Sequence, residues 1–324
     1  MILILGGLGF VGANTAQALL EMGEKCVLTQ HHTTRVPAFL QDAIGQRIFL
    51  EPLDIENVQG LRNLGKQFPI TSIIHLATGG LPVGSGASAL DLVHDVQGTL
   101  ASIAAVFQVA QEWHVKRVLL ASAPVVYNGI TTLPWRDDQP LLMTAAFSME
   151  VAKKCGELVA SYLAHHTQVA SVEMRLAGMY GPNYDATRSS LAGRLVHAAV
   201  NGSQPNLDGM RFGSVYEQDG GDLCYVKDAA RAIALLQTTT TLKRPVYNIG
   251  SGRCTTNQQI VEAIQQVVPS FTVQLPSRPL ADEPAPEWYF DITALREDTG
   301  FAPQFDLEAG IADYVAWLRA GNER

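Results

Sequence analysis

Charge is scarce in this chain, and cysteine scarcer. Only 17% of the 324 residues are Asp, Glu, Lys or Arg while 47% are apolar, against ~25% charged in ordinary soluble domains. Such a composition builds a packed core and excludes a disordered chain. The charge that is present is acidic on balance, 31 Asp and Glu against 23 Lys and Arg for a net of −8. No basic block tracks a phosphate backbone, which excludes nucleic acid as a partner. The four cysteines, Cys26, Cys155, Cys224 and Cys254, lie far apart; they form neither a disulfide framework nor a metal knuckle, and predict reduced thiols and no metal site. No apolar run approaches the ~18 residues of a membrane span. The opening Met1-Ile2-Leu3-Ile4-Leu5 is not an export leader, so the expected setting is cytoplasmic, with no membrane partner.

What the chain does have is alternation. At ~150 residues per domain its length predicts about two domains. Short apolar runs rich in β-branched residues, at 1–5, 25–29, 47–51, 72–76, 117–121 and 170–175, alternate with amphipathic stretches that include 90–113 and 143–166. That pattern predicts an α/β fold, a doubly wound sheet of six parallel strands joined by helices. After Arg175 come segments rich in Gly, Pro and polar residues at 181–184, 202–221 and 276–286, which read as the loops of a smaller lobe. Val246-Tyr247-Asn248-Ile249-Gly250 again resembles a strand leaving a core.

The strongest local motif is Leu5-Gly6-Gly7-Leu8-Gly9-Phe10-Val11-Gly12, directly after the first strand and before a helix. It fits Gly-x-x-Gly-x-x-Gly through Gly6, Gly9 and Gly12, and Gly-x-Gly-x-x-Gly through Gly7, Gly9 and Gly12. Either register allows a tight turn, close approach of a pyrophosphate and a helix N-terminus facing it, the requirements of a dinucleotide. The acid expected about 20 residues later, on the ribose 2′-hydroxyl of NAD, is missing: no Asp or Glu occurs between Lys25 and Asp42. Gln30 does not repel a 2′-phosphate, and His31, His32 and Arg35 are placed to pair with one, so NAD(P) binding leans towards NADP. A plain solvated basic loop would read the same way.

Further landmarks follow in order: Leu53-Asp54-Ile55, His75-Leu76-Ala77, Val96-x-Gly98-Thr99, Val126-Tyr127, Lys153 with Glu157, Arg175 with Tyr180-Gly181-Pro182, Tyr225-Val226-x-Asp228 and Arg278-Pro279. Together with the glycines they resemble the extended short-chain dehydrogenase/reductases, the family of NAD-dependent epimerases and dehydratases of nucleotide sugars. The resemblance implies a Rossmann-like doubly wound parallel sheet with a smaller, interleaved substrate lobe. It places a dinucleotide-binding domain at 1–179 with a returning segment at about 222–250, and the substrate lobe at 180–221 and 251–324. It implies that Gly6, Gly9, Phe10, Val11 and Gly12 surround the pyrophosphate and that Asp54 and Ile55 flank the adenine. Leu76, Ala77 and Thr78 would floor the nicotinamide ribose, and Lys153 would reach its hydroxyls. It also implies a homodimer, made by pairing the two long helices with those of a second copy.

The catalytic half departs from that pattern. Family members place a Tyr four residues before the Lys, one helical turn away on the same face, where the ammonium lowers the phenol pKa. Here that position is Met149, and no tyrosine lies between Tyr127 and Tyr162. The family Ser or Thr four residues before the Tyr of Val126-Tyr127 is Ala123, with Ser122 one residue early. Lys153, Ser122 and Tyr127 remain as catalytic candidates, and Met149, Ala123 and Arg278 as residues facing a small-molecule substrate. On the substrate side the family Asn and Arg are Gly178 and Gly221. Three readings follow: an epimerase- or dehydratase-like NAD(P) enzyme with an atypical site, acting on a small molecule such as a nucleotide sugar; a catalytically silent NAD(P)-binding sensor or regulatory protein; or a stable scaffold whose cofactor site is vestigial, against which the intact glycine turn and Lys153 argue.

Overall fold

The computed structural model describes residues 1–31, 33–77, 89–185, 190–208, 210, 215–279 and 285–322. Strands β1 (Ile2–Leu5), β2 (Cys26–Gln30), β3 (Ile48–Pro52), β4 (Ser72–His75), β5 (Arg117–Ser122), β6 (Ala170–Leu176) and β9 (Val246–Ile249) form one sheet in the order β3-β2-β1-β4-β5-β6-β9. Every pairing in it is parallel. Parallel sheets are covered on both faces, and β1 shows the consequence: all four of its residues are buried. Val246–Ile249 is thus a seventh strand, with Ile249 beside Leu176.

Helices α1 (Phe10–Glu21), α6 (Val226–Thr238) and α8 (Thr293–Thr299) cover one face, and α2 (Val58–Gln67), α3 (Ala89–Glu112) and α4 (Ser148–Thr167) the other. A third core joins α5 (Leu191–Asn201), α7 (Asn257–Val267) and α9 (Leu307–Arg319) through Tyr180, Tyr225 and Tyr314. A small sheet, β10 (Cys254–Thr256), β8 (Gly220–Tyr225) and β7 (Gly178–Tyr180), lies outside the main one. Chain order and core membership are interleaved: β8 pairs in the small sheet, β9 in the large one, and Phe290, Ile292, Leu295 and Phe301 belong to the first core.

Strand order reverses between β1 and β4, and ligands of doubly wound sheets bind in the crevice beyond such a point. Leu5 pairs with His75, so Gly6 and Leu76 leave the sheet side by side. The helix expected over 143–166 starts later, at Ser148. Phe147 is extended (φ −153°, ψ 161°), and side chains of α4 hold the segment ahead of it: Glu150 accepts from the Ala146 N–H at 3.0 Å, and Lys154 donates to the Thr144 carbonyl at 2.7 Å.

Candidate active site

At the end of β1 the backbone is shaped by what a side chain would strike. Gly6 has φ +79°, and a Cβ there would lie 2.9 Å from the Ala77 amide nitrogen; a Cβ on Gly12 would run into the Gly6 carbonyl oxygen. The turn is tied by the Gly9 N–H to the Gly6 carbonyl and by the Gly6 N–H to Thr29 Oγ1, each at 3.0 Å. Helix α1 then begins with no capping side chain and no acid in its first turn, which leaves its N–H groups and positive dipole end for an anion. A pyrophosphate fits this cradle. Residues 182–184 pack against the turn: Asn14 Nδ2 donates to the Phe10 carbonyl at 2.9 Å and the Pro182 carbonyl at 3.0 Å, and Phe10 meets the Tyr184 ring edge-on at 5.1 Å. Val11 packs half-buried against the first core.

Along the proposed adenosine side, His31, Arg35 and Asp54 are exposed. Asp54 Oδ1 accepts from the Glu56 N–H at 3.0 Å, and Ile55 packs half-buried against the core under α2 and α3. Leu76 and Ala77 are half-buried at the end of β4. Thr78 and His32 lie outside the described residues.

The β5–α4 wall is built from charge. Lys153 Nζ donates to the Ala121 carbonyl at 2.8 Å. Its burial lowers its pKa to about 8, with the Glu157 carboxylate opposing. Ser122 is buried and donates to Glu157 Oε1 at 2.5 Å. Glu157 also takes a bidentate contact from Arg175, at 3.0 and 2.8 Å, the geometry that best compensates buried charges. Arg175 donates onward to the Tyr127 hydroxyl at 2.7 Å, which lies 2.9 Å from the Arg136 carbonyl and 2.8 Å from Asn248 Oδ1. Burial pushes the Tyr127 phenol up to about 12 against the pull of Arg175. Ser122 and Tyr127 thus point into the wall, with their hydroxyls engaged there.

Two apolar residues of the wall are half-exposed, as Lys153 and Glu157 are. Ala123, in extended backbone after β5, and Met149, in the first turn of α4, are both partly accessible. The adjacent Glu150 is 1% exposed and paired with Lys154 at 2.6 Å. Burial alone would raise its pKa, but the Ala146 N–H, the Lys154 ammonium and the Asn128 amide together hold the carboxyl below its ordinary range. The segment that Glu150 and Lys154 hold ahead of α4 forms a strap, along which Leu142, Met143 and Phe147 are exposed.

Arg278 stands apart from that wall, donating to Asp219 Oδ1 at 3.1 and 2.6 Å with its guanidinium over the Tyr216 ring. Sequence reasoning missed the Glu150–Lys154 clamp, whose only trace was an i, i+4 acid and base, and a ring stack of Tyr127, Trp135 and Trp288 with centroids 5.1 and 5.4 Å apart. Trp288 packs on Gly221, where a Cβ would lie 2.6 Å from the indole. Two tryptophans within Pro- and polar-rich segments were the available signal.

A model of the NAD dependent epimerase/dehydratase family matches residues 2–250. The chain belongs to that family. Among relatives of the epimerase/dehydratase family, Protein CapI of Staphylococcus aureus is 22% identical, over 98% of this chain and 97% of that protein. UDP-N-acetyl-alpha-D-glucosaminuronate decarboxylase of Bacillus cytotoxicus is 25% identical over 98% and 97%. Among solved structures, UDP-glucose 4-epimerase of Thermotoga maritima with UDP-glucose superposes with a TM-score of 0.80 at 19% identity, over 99% of both chains. UDP-glucose 4-epimerase of Brucella ovis in complex with NAD does so at 0.81 and 20%, over 97% of each. In this member of the epimerase/dehydratase family, the same fold carries Met149 and Ala123 beside Lys153.

Proposed function

We propose that the protein binds NAD(P) across the β1–β4 switch point and acts on a carbinol or carbonyl of a small molecule held between the cofactor and the smaller lobe. The observation that carries this reading is the pairing of a tight glycine turn, in which a Cβ on Gly6 or Gly12 would strike backbone, with the amine of Lys153 on the β5–α4 wall. When bound, the nicotinamide supplies the hydride acceptor and donor. Gly6, Gly9, Phe10, Val11 and Gly12 surround the pyrophosphate, Asp54 and Ile55 flank the adenine, and Leu76 and Ala77 floor the nicotinamide ribose. Lys153 orients the ribose and, with a pKa near working pH, exchanges a proton with the reacting oxygen. Ser122 and Tyr127 hold the Glu157–Arg175 pair behind it, while Met149 and Ala123 face the substrate. The relatives' names make nucleotide sugars the substrate class to assay, with Arg278 as the cation nearest in kind to a diphosphate ligand.

The open basic segment at His31 and Arg35 favours NADP over NAD. A homodimer is supported by apolar side chains left outward on the two paired helices: Val93 on α3 is 52% exposed, and Leu158 and Tyr162 on α4 are 60% and 63% exposed. Met149 and Ala123 favour a second reading, a silent NAD(P)-binding sensor.

Thermal-shift titration with NAD and NADP tests binding, since a ligand of the native state raises the midpoint by mass action. Nicotinamide absorbance with UDP- and dTDP-sugars then separates enzyme from sensor. The enzyme reading expects turnover that Lys153→Met abolishes; a midpoint shift without turnover across the panel leaves the sensor, and no shift with either dinucleotide overturns both.

A further inference from the structure

His75 ends β4 directly under the proposed nicotinamide site and is 2% exposed. Its Nε2 lies 3.2 Å from Ser102 Oγ on α3. Ser102 has one hydroxyl proton, and it is donated to the Thr99 carbonyl at 2.8 Å. Its oxygen is therefore an acceptor towards the imidazole, so Nε2 carries the ring proton and Nδ1 is a bare acceptor. That Nδ1 is buried and has no partner among the described residues, which is costly for a buried polar atom. The His75 side chain lines a cavity of about 20 Å³ whose other walls include Thr99, Ser102, Ala121, Lys153 and Glu157. About 10–15 Å³ suffices for one water. Lys153 lines the same cavity with three ammonium donors, and one of them is used on the Ala121 carbonyl.

We propose that a buried water bridges Lys153 Nζ to His75 Nδ1, making His75 a positioning residue for the acid/base amine; this rests on the reading of Lys153 given above. The assignment accounts for the ammonium: one proton on Ala121, one on the water, and the third left for the crevice. The water completes its own bonding by donating to His75. Among the described residues, the titratable and charged groups around Lys153 are Glu157 on its own helix, Arg175 on β6 bound to that carboxylate, and His75 on β4. α3 contributes the neutral Ser102 and Thr99. Burial, with the Lys153 charge adding to it, drives the His75 pKa down to about 3, so the imidazole stays a neutral acceptor at working pH.

The tautomer is read without mutation, from ¹⁵N shifts of the histidine ring in the whole protein; a protonated Nδ1 would overturn the assignment. A high-resolution crystal structure of the dinucleotide-loaded protein should show a solvent peak within hydrogen-bond reach of both nitrogens, and an empty cavity or a direct Lys153–His75 contact overturns it. In His75→Leu the ammonium loses an acceptor, and Lys153 should titrate lower by about one pH unit, tenfold in acidity, in ¹⁵N-lysine spectra. His75→Asn, which restores an acceptor, should move it back towards the parent value. An unchanged Lys153 titration in His75→Leu would leave His75 a packing residue. None of these readouts needs turnover, so they fail separately from dinucleotide binding and from the loss of activity in Lys153→Met.

Discussion

Around β1 and α1 the crevice presents backbone, whereas around β5 and α4 it presents side chains. Gly6 and Gly12 are pressed so closely against Ala77 and the turn itself that no Cβ is accommodated. On the other side, Ser122, Glu157, Arg175 and Tyr127 form one hydrogen-bonded array, Lys153 is tied beside it to the Ala121 carbonyl, and Met149 and Ala123 are half-exposed. A site made of backbone is bound to the fold, because changing a residue there changes the path of the chain. A site made of side chains is not: a methionine occupies the first turn of α4 as readily as a tyrosine. This is why the glycine turn is fixed by the fold while the residue types at positions 123 and 149 are not. The two regions also differ in buried charge, since the ion pairs beneath the crevice lie in the β5–α4–β6 wall.

The contrast can be broken at four points. The largest effect is expected from Gly12→Val, where the new side chain meets the Gly6 carbonyl; dinucleotide binding should be lost outright, with overpacking costing a further ~1–3 kcal/mol. Thermal-shift titration checks this, and a normal midpoint rise with NAD or NADP would show that the cradle tolerates side chains. Next is Lys154→Met, which leaves Glu150 buried without its cation and should cost about 3–5 kcal/mol in denaturant unfolding. Adding Glu150→Gln should recover much of that loss, and a loss no smaller in the double variant would mean that the strap depends on something other than this pair.

Restoring the side-chain wall with Met149→Tyr and Ala123→Ser should raise turnover by about a hundredfold or more, with little change in stability because both sites are half-exposed. No gain would place the difference in the substrate pocket. The smallest effect belongs to pH. Burial raises the Glu173 pKa to about 7 from an ordinary 4.5, although Ser171 donates to it. A raised carboxyl binds more protons folded than unfolded between those values, so its stabilisation is present below pH 4.5 and lost as pH rises through 7. Relative to Glu173→Gln, the parent should lose on the order of 2–3 kcal/mol over that window, and parallel stability curves for the two proteins would exclude the effect.

Much of the backbone half was legible beforehand. The glycine spacing after Ile2–Leu5, the strand at Val246–Ile249 and the run of parallel strands follow from local pattern, because turn chemistry and full burial leave marks on consecutive residues. The positions of Met149 and Ala123 were readable too, by their distances from Lys153 and Tyr127. The start of α4 was not: 143–147 carries helical periodicity, yet Glu150 and Lys154 hold the backbone of Ala146 and Thr144 in a strap. Nor could spacing reveal that Ser122 turns inward to Glu157, 35 residues away, or that His75 faces a cavity shared with Lys153.

By itself the sequence determined the class of fold, the place of the glycine turn and the residue types at positions 123, 149 and 153, since each depends on neighbours along the chain. Only the tertiary structure decided which hydroxyls are engaged, which charges are paired and where a buried acceptor lacks a partner. Those outcomes depend on groups that chain reversal brings together from β4, β5, β6, α3 and α4, and on burial, which sets the cost of every unpaired polar atom.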